Sequence, residues 1–281
     1  MSVGQKICRS ISNAYTKLDR STGKSFFGND AGLKHNVQGN IKKRKYSQKK
    51  KSTENSEFES KGYMYLGKAD LLLIKEINSK FQKMIEDQKY SEVVSEHKGT
   101  AYMRKLKNPT EDIPEIKKLF TRDLIEKIED CVSGHFNIKD VQLWRNNHIP
   151  YEIENGQKGD LFSNLWHCDY SYTDETKLFF YLEDVTKDEG PIHMVSPSTT
   201  KELIKNGYTN RYEIDFNKKL FGSKREIFKG IGLSGTVLLV NTEVCLHKAG
   251  NPAQNHHRDV IQFHFKSSSE PLSNDWVNND N

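Results

Sequence analysis

The stretch from Asn164 to Tyr172 reads NLWHCDYSY and sets His167 and Asp169 two positions apart. On an extended backbone, residues two apart share a face, so Cys168 points the other way. An imidazole and a carboxylate on one face can bind the same divalent ion. A second histidine from another strand would complete a two-histidine, one-carboxylate triad, the donor set that suits non-haem Fe(II) with open coordination positions. His247, in EVCLHKAGNP just after the apolar run GTVLLVNT, is placed to be that histidine. Further on, Arg258 opens the run RDVIQFHFK. An always-charged, two-pronged side chain at a strand start suits the far carboxylate of a dicarboxylic co-substrate whose 2-oxo acid end chelates the metal. His-x-Asp alone is a common chance pair, and it is the distal histidine and the arginine that give it weight.

These side chains need a scaffold of short strands. From Lys139 onward, β-like runs follow one another: DVQLWRN, NLWHCDYS, KLFFYLEDV, PIHMVS, GTVLLVNT, VCLHKAG and RDVIQFHFK. Turn clusters such as TKDEGP and GLSG punctuate them. Ahead of them, KGYMYLGK (Lys61–Lys68) reads as a short strand. Two helices are expected. Ala69–Asp87 carries Leu72, Leu73, Ile77, Phe81, Met84 and Ile85 at helical spacing, and Pro114–Val132 begins with a proline suited to a first turn. The pattern predicts an α+β chain: a double-stranded β-helix, or cupin-like jelly roll, buttressed by N-terminal helices.

Alternation extends the site. If Arg258 faces the cavity, so do Val260, Gln262 and His264, while Ile261, Phe263 and Phe265 face the helices. Gln262, a candidate for cofactor binding, and His264 then either support the site and face substrate or are simply hydrogen-bonded in the interior. Tyr181 in KLFFYL either touches the co-substrate or is an aromatic of the core. Cys245 shares the face of His247 and reads as a small buried filler. His256 and His257 read as solvated loop residues and His193 as structural. Trp144 reads as core, with Arg145 a minor candidate for an anionic substrate. The long segment Asn147–Asn164 reads as a substrate lid.

The chain of 281 residues is 35% hydrophobic and 29% charged, with no apolar run near the ~20 residues of a membrane helix. Its start lacks an apolar signal-peptide core, which predicts a cytoplasmic protein, with a transit peptide as the lesser reading. Four widely spaced cysteines fit free thiols in a reducing compartment. The net charge of +5 is uneven: residues 1–53 hold 13 Lys and Arg against 2 Asp and Glu, leaving the remainder mildly acidic. Residues 1–58, with the run IKKRKYSQKKK, read as a disordered basic tail that can contact anionic partners. Residues 59–281 read as the folded domain, for which nucleic-acid binding is not expected.

The motifs in their order resemble the phytanoyl-CoA dioxygenase-like branch of the Fe(II)/2-oxoglutarate-dependent oxygenases. The resemblance rests on WHCDYS, KLFFYLEDVTKDEGPIHMVSPST, CLHKAG and Arg258 with its strand, and spans about residues 62–268. It implies His167, Asp169 and His247 as iron ligands and Arg258 as the partner of the 2-oxoglutarate C5 carboxylate. It implies Fe(II), 2-oxoglutarate and O2 acting on a small-molecule substrate, with release of succinate and CO2. Two departures stand out: SPSTT (Ser196–Thr200) replaces the family's Pro-Gly-Ser-His, and Ala249 replaces a hydroxyl residue two after the distal histidine. Asp169, in place of the small residue of halogenases, favours hydroxylation or desaturation. The alternatives are a jelly-roll metal protein without 2-oxoglutarate chemistry, a non-catalytic binding module on the same fold, and an adaptor working through the basic tail.

Overall fold

The structure, a computed structural model, describes residues 52–97, 100–150, 164–169, 175–205 and 226–277. Helix α1 (Thr53–Lys61) starts where the Ser52 side chain accepts from the Asn55 N–H, and ends at Gly62 with φ 79°. A side chain at Gly62 would also collide with Cys245 Sγ, so glycine is required there twice over. Phe58 and Asn55 are buried, and Asn55 Nδ2 donates to the Cys131 carbonyl at 2.7 Å. The expected tail boundary at residue 58 therefore falls inside a packed helix. The charge of that stretch masked one buried aromatic and one buried amide.

Strand β1 (Tyr63–Lys68) leads into α2 (Leu71–Met84), capped by Asp70, whose carboxylate accepts from Leu72 and Leu73 N–H. Strands β2 (Ser91–His97) and β3 (Thr100–Leu106) form a hairpin that the sequence pattern does not announce. The expected single helix over Pro114–Val132 is two elements: a 3-10 helix (Pro114–Leu119) and α3 (Arg122–Val132). Between them Phe120 leaves helical geometry, and Thr121 restarts the helix by accepting from Leu124 N–H. The break drives the Phe120 ring into the core, edge-on to Phe263 at 4.8 Å between centroids.

The remaining strands are β4 (His135–Asn147), β5 (Thr176–Tyr181), β6 (His193–Met194), β7 (Phe228–Lys229), β8 (Thr236–Val240), β9 (His247–Lys248) and β10 (His257–Ser268). Helix α4 (Pro197–Lys205) follows β6. An antiparallel seven-stranded sheet runs β1-β8-β5-β10-β4-β3-β2, opposed by a three-stranded sheet β7-β6-β9. This is the expected jelly roll.

The large sheet is covered on both faces. On one, Ile261, Phe263 and Phe265 of β10 meet Ile74, Ile77 and Phe81 of α2 and Leu124 and Ile128 of α3. On the other, Tyr181, Leu238, Val240 and Val260 pack with Ile192 and Met194 near the small sheet. Burial on both faces explains the apolar run from Val237 to Val240 in β8, all five residues of which are buried. Among the described residues no helix is long and apolar enough to cross a membrane.

Candidate active site

The NLWHCDYSY stretch is not the continuous strand that its alternation suggests. In its described part, His167 forms an isolated antiparallel bridge with His247, each donating its N–H to the other's carbonyl at 2.9 Å. Asp169 N–H donates to the Thr242 carbonyl at 3.0 Å. Three backbone hydrogen bonds thus do the work expected of a strand. They bring the two imidazole rings to 4.3 Å between centroids.

The structure brings the three side chains together. His167 Nε2 lies 3.6 Å from Asp169 Oδ1, and His247 Nε2 lies 3.7 Å from Asp169 Oδ2. One ligand atom from each residue falls within 4.8 Å of the others, so the trio can hold a metal ion. Each ring is oriented by a carbonyl two residues before it. His167 Nδ1 meets the Leu165 carbonyl at 2.7 Å, and His247 Nδ1 meets the Cys245 carbonyl at 3.1 Å. A carbonyl only accepts, so each Nδ1 carries a proton, which leaves Nε2 as the nitrogen that faces the carboxylate and is available to a metal. Burial opposes ionisation of Asp169, but His247, Lys177 and His167 outweigh it and hold its pKa well below the usual carboxylate range. Two imidazole Nε2 atoms and an ionised carboxylate are the donor set that Fe(II) takes. Cys168 is turned away into a separate apolar cluster with Trp166 and Leu203.

A cavity of about 240 Å³ opens beside the trio, lined by His167 and His247 and by residues of β4, β5 and β10. From β10 it takes Arg258, Val260, Gln262 and His264, the four that alternation selects. Arg258 is 9% exposed. Its Nη1 donates to the Gly190 carbonyl, and burial lowers its pKa against an opposing effect of the neighbouring Tyr181. Among the described residues no carboxylate reaches its guanidinium. An uncompensated buried cation is costly unless a ligand supplies the anion. Gly190 adopts φ 63° and lies so close to the Asn251 backbone that a Cβ would sit 2.6 Å from a carbonyl carbon. Glycine is needed there to deliver the carbonyl that Arg258 uses. Tyr181 lines the same cavity, donates its hydroxyl to the Gly230 carbonyl at 2.5 Å, and is held protonated by burial.

Other expectations fare differently. Gln262 lies farther along β10, beside His264. Burial first, and Lys177 next, push His264 down to about 4. Trp144, expected in the core, lines the cavity. Arg145, a candidate for an anionic substrate, instead forks onto the buried carboxylate of Asp259 on the opposite face. Neighbours on a strand face opposite ways, so its partner lies on the helix side. Cys245 is a buried filler. His193 is pushed down to about 4 by burial and then by Lys248 and Lys229, in keeping with a structural role. His256 and His257 are paired rather than merely solvated. His256 meets Glu189 at 2.8 Å, and His257 Nε2 lies 3.4 Å from Glu183 and 3.5 Å from Asp259. Most of the expected lid, residues 151–163, lies outside the described residues.

Glu183, His257 and Asp259 also have ligand-like spacing. Arg145 already occupies the Asp259 carboxylate, and hydrogen bonds to Asp259 and then Glu183 push His257 up to about 9. That cluster holds a proton and an arginine, which leaves no excess of negative charge for a cation. The residue that sequence reasoning missed is Lys177. It lines the cavity, and its Nζ lies 2.6 Å from Asp169 Oδ2. The period-two rule could have found it, because Lys177, Phe179 and Tyr181 alternate on β5.

No protein-family model and no curated protein matches the sequence. Solved structures do match in shape. The epimerase SnoN, solved with Fe3+, alpha ketoglutarate and nogalamycin RO, superposes with a TM-score of 0.54 at 10% identity, covering 76% of this chain and 82% of its own. The alpha-ketoglutarate-dependent carbocyclase SnoK gives 0.51 at 11% identity, covering 77% and 84%. AviO1 from Streptomyces viridochromogenes Tue57 gives 0.50 at 14% identity, covering 79% and 97%. At such identities the likeness is one of fold.

Proposed function

We propose that the chain is a non-haem Fe(II)- and 2-oxoglutarate-dependent oxygenase acting on a small organic substrate. One observation carries the reading: His167 and His247 of the ligand-spaced His167–Asp169–His247 trio line the same cavity as a buried arginine that has no carboxylate partner among the described residues. A metal protein with no dicarboxylate to bind has no use for Arg258 there. That SnoN was solved with iron and alpha ketoglutarate on this fold supports the reading. Among the finer readings, the phytanoyl-CoA dioxygenase-like branch fits the motif order, and hydroxylation fits the intact Asp169.

In this reading His167, Asp169 and His247 hold Fe(II) through two Nε2 atoms and a carboxylate. Bound Fe(II), with 2-oxoglutarate and O2, supplies oxidative decarboxylation to succinate and CO2 and an oxidant for a substrate C–H bond. The carbonyls of Leu165 and Cys245 keep both imidazoles in the metal-binding tautomer. Arg258 binds the C5 carboxylate and sets how far the co-substrate reaches. Tyr181 packs beside that arginine with its proton committed to Gly230. Gln262 stands farther along the wall, where it orients bound molecules. The apolar wall of Ile192, Phe179 and Val260 excludes water from the reacting volume. The basic N-terminal segment, read from the sequence as residues 1–58, would contact anionic partners.

The test is succinate release from 2-oxoglutarate under Fe(II) and O2, with a pool of small metabolites and mass spectrometry for a gain of one oxygen. The reading predicts succinate, dependent on Fe(II) and abolished in Asp169→Ala. Metal binding without 2-oxoglutarate turnover in the full chain would favour a jelly-roll metal protein of another kind.

A further inference from the structure

We propose that the Lys177 end of the cavity is the subsite for an anionic group on the substrate, a carboxylate or a phosphate. The proposal rests on the Fe(II)/2-oxoglutarate reading and adds to it the class of substrate. It begins with charge. In that reading the doubly charged metal and the Arg258 cation are balanced by the Asp169 carboxylate and the 2-oxoglutarate dianion. Lys177 is one cation beyond that balance. Its side chain is 14% exposed, and Asp169, 2.6 Å away, is its only ion-pair partner among the described residues. Once that carboxylate binds a metal, its charge is shared, and a largely buried ammonium is left in need of an anion.

Position separates the two cations. Lys177 pairs in register with His264, whereas Arg258 sits six residues earlier on the same strand. Six residues of extended strand span about 20 Å between backbones. Arg258 turns to Gly190 and Lys177 to Asp169. The co-substrate's far carboxylate therefore belongs to Arg258; its near carboxylate is already counted against the metal in the charge balance, so the anion at Lys177 is assigned to another molecule.

The surroundings of Lys177 also suit recognition. Gln142, Gln262 and His264 line the cavity with it. Gln262 Nε2 contacts His264 Nε2, and Gln142 is held by bonds from Trp144 Nε1 and to Asp140. Amides and an imidazole around one lysine can orient an anionic group whose charge the lysine balances. Asp140, at the rim of this end, is exposed to solvent, which screens its opposing charge.

The experiment uses the full chain loaded with Mn(II) and saturated with 2-oxoglutarate, so that Arg258 is occupied. Inorganic phosphate and acetate are titrated in separate arms, and paramagnetic relaxation of 31P and of carboxyl 13C reports their approach to the metal. The expected result is saturable relaxation in at least one arm, and which arm responds tells phosphate from carboxylate. Lys177→Met and Lys177→Gln should weaken that binding about tenfold or more, and Lys177→Arg should retain it. Mn(II) affinity in the neutral variants should hold or rise, because a competitor for Asp169 is gone. Failure of both anions to relax on the loaded protein overturns the proposal, as does unchanged anion affinity in the neutral variants. A tenfold loss of Mn(II) affinity in those variants overturns it too, since Lys177 would then only support Asp169. Failure of the wild-type chain to bind Mn(II) or 2-oxoglutarate at all overturns the oxygenase reading as well, which tells the two failures apart.

Discussion

Replacing Arg258 with methionine separates its two conceivable roles. Methionine keeps much of the aliphatic stem and removes the charge. In the folded chain the guanidinium makes a hydrogen bond to the Gly190 carbonyl and meets no carboxylate among the described residues. Losing that charge-assisted bond costs about 1.5–3 kcal/mol. Removing an uncompensated buried charge returns several kcal/mol of desolvation. The variant should therefore be as stable as the wild type, or more stable by about 1–2 kcal/mol. Binding should suffer in the opposite sense. Two charge-assisted hydrogen bonds to a carboxylate contribute about 1.5–3 kcal/mol each, so 2-oxoglutarate affinity should fall about a hundredfold or more. Metal affinity should not change. The assays are chemical denaturation without ligands and an anaerobic titration of Fe(II)-loaded protein with 2-oxoglutarate. A variant destabilised by more than about 3 kcal/mol with unchanged 2-oxoglutarate affinity would refute the reasoning and make Arg258 a structural residue.

Three other perturbations probe the scaffold. Arg145→Leu strands the buried Asp259 carboxylate and should cost about 3–5 kcal/mol in denaturation; a loss below about 1 kcal/mol would contradict the buried pair. His257, pushed up to about 9 from an ordinary ~6.5, favours the fold when protonated. Its contribution is fully present below pH ~6.5 and is lost as pH rises through 9, so stability should fall between pH 7 and 9.5, and less so in His257→Gln. Phe120→Ala removes a ring that meets Phe180, Phe263, Phe265 and Trp276, and should cost about 3–5 kcal/mol; a cost under 1 kcal/mol would mean the broken helix is not pinned by that ring.

What could be read from the sequence was local and periodic. The alternation of β10 placed Arg258, Val260, Gln262 and His264 in the cavity and Ile261, Phe263 and Phe265 against the helices. The spacing of His167 and Asp169 gave their shared direction, although backbone bonds to His247 and Thr242 enforce it rather than a strand. What could not be read depends on partners distant in sequence. Arg145 looked like a residue near the site because Asp259 and α2 are not its chain neighbours. Residues 53–58 looked like tail because burial of Phe58 depends on the fold. The β2–β3 hairpin was hidden by Ser, Glu, Lys and Arg on a sheet edge, where half the side chains face solvent. Phe120 broke a helical pattern because an aromatic core offered its ring a better site than the helix surface.

The most direct test of the central claim is spectroscopic. Under anaerobic conditions the full chain with Fe(II) and 2-oxoglutarate should develop a weak visible charge-transfer band, which His167→Ala should lack. Absence of the band in correctly folded wild-type protein, or its survival in His167→Ala, would contradict the assignment of His167, Asp169 and His247 as the iron site.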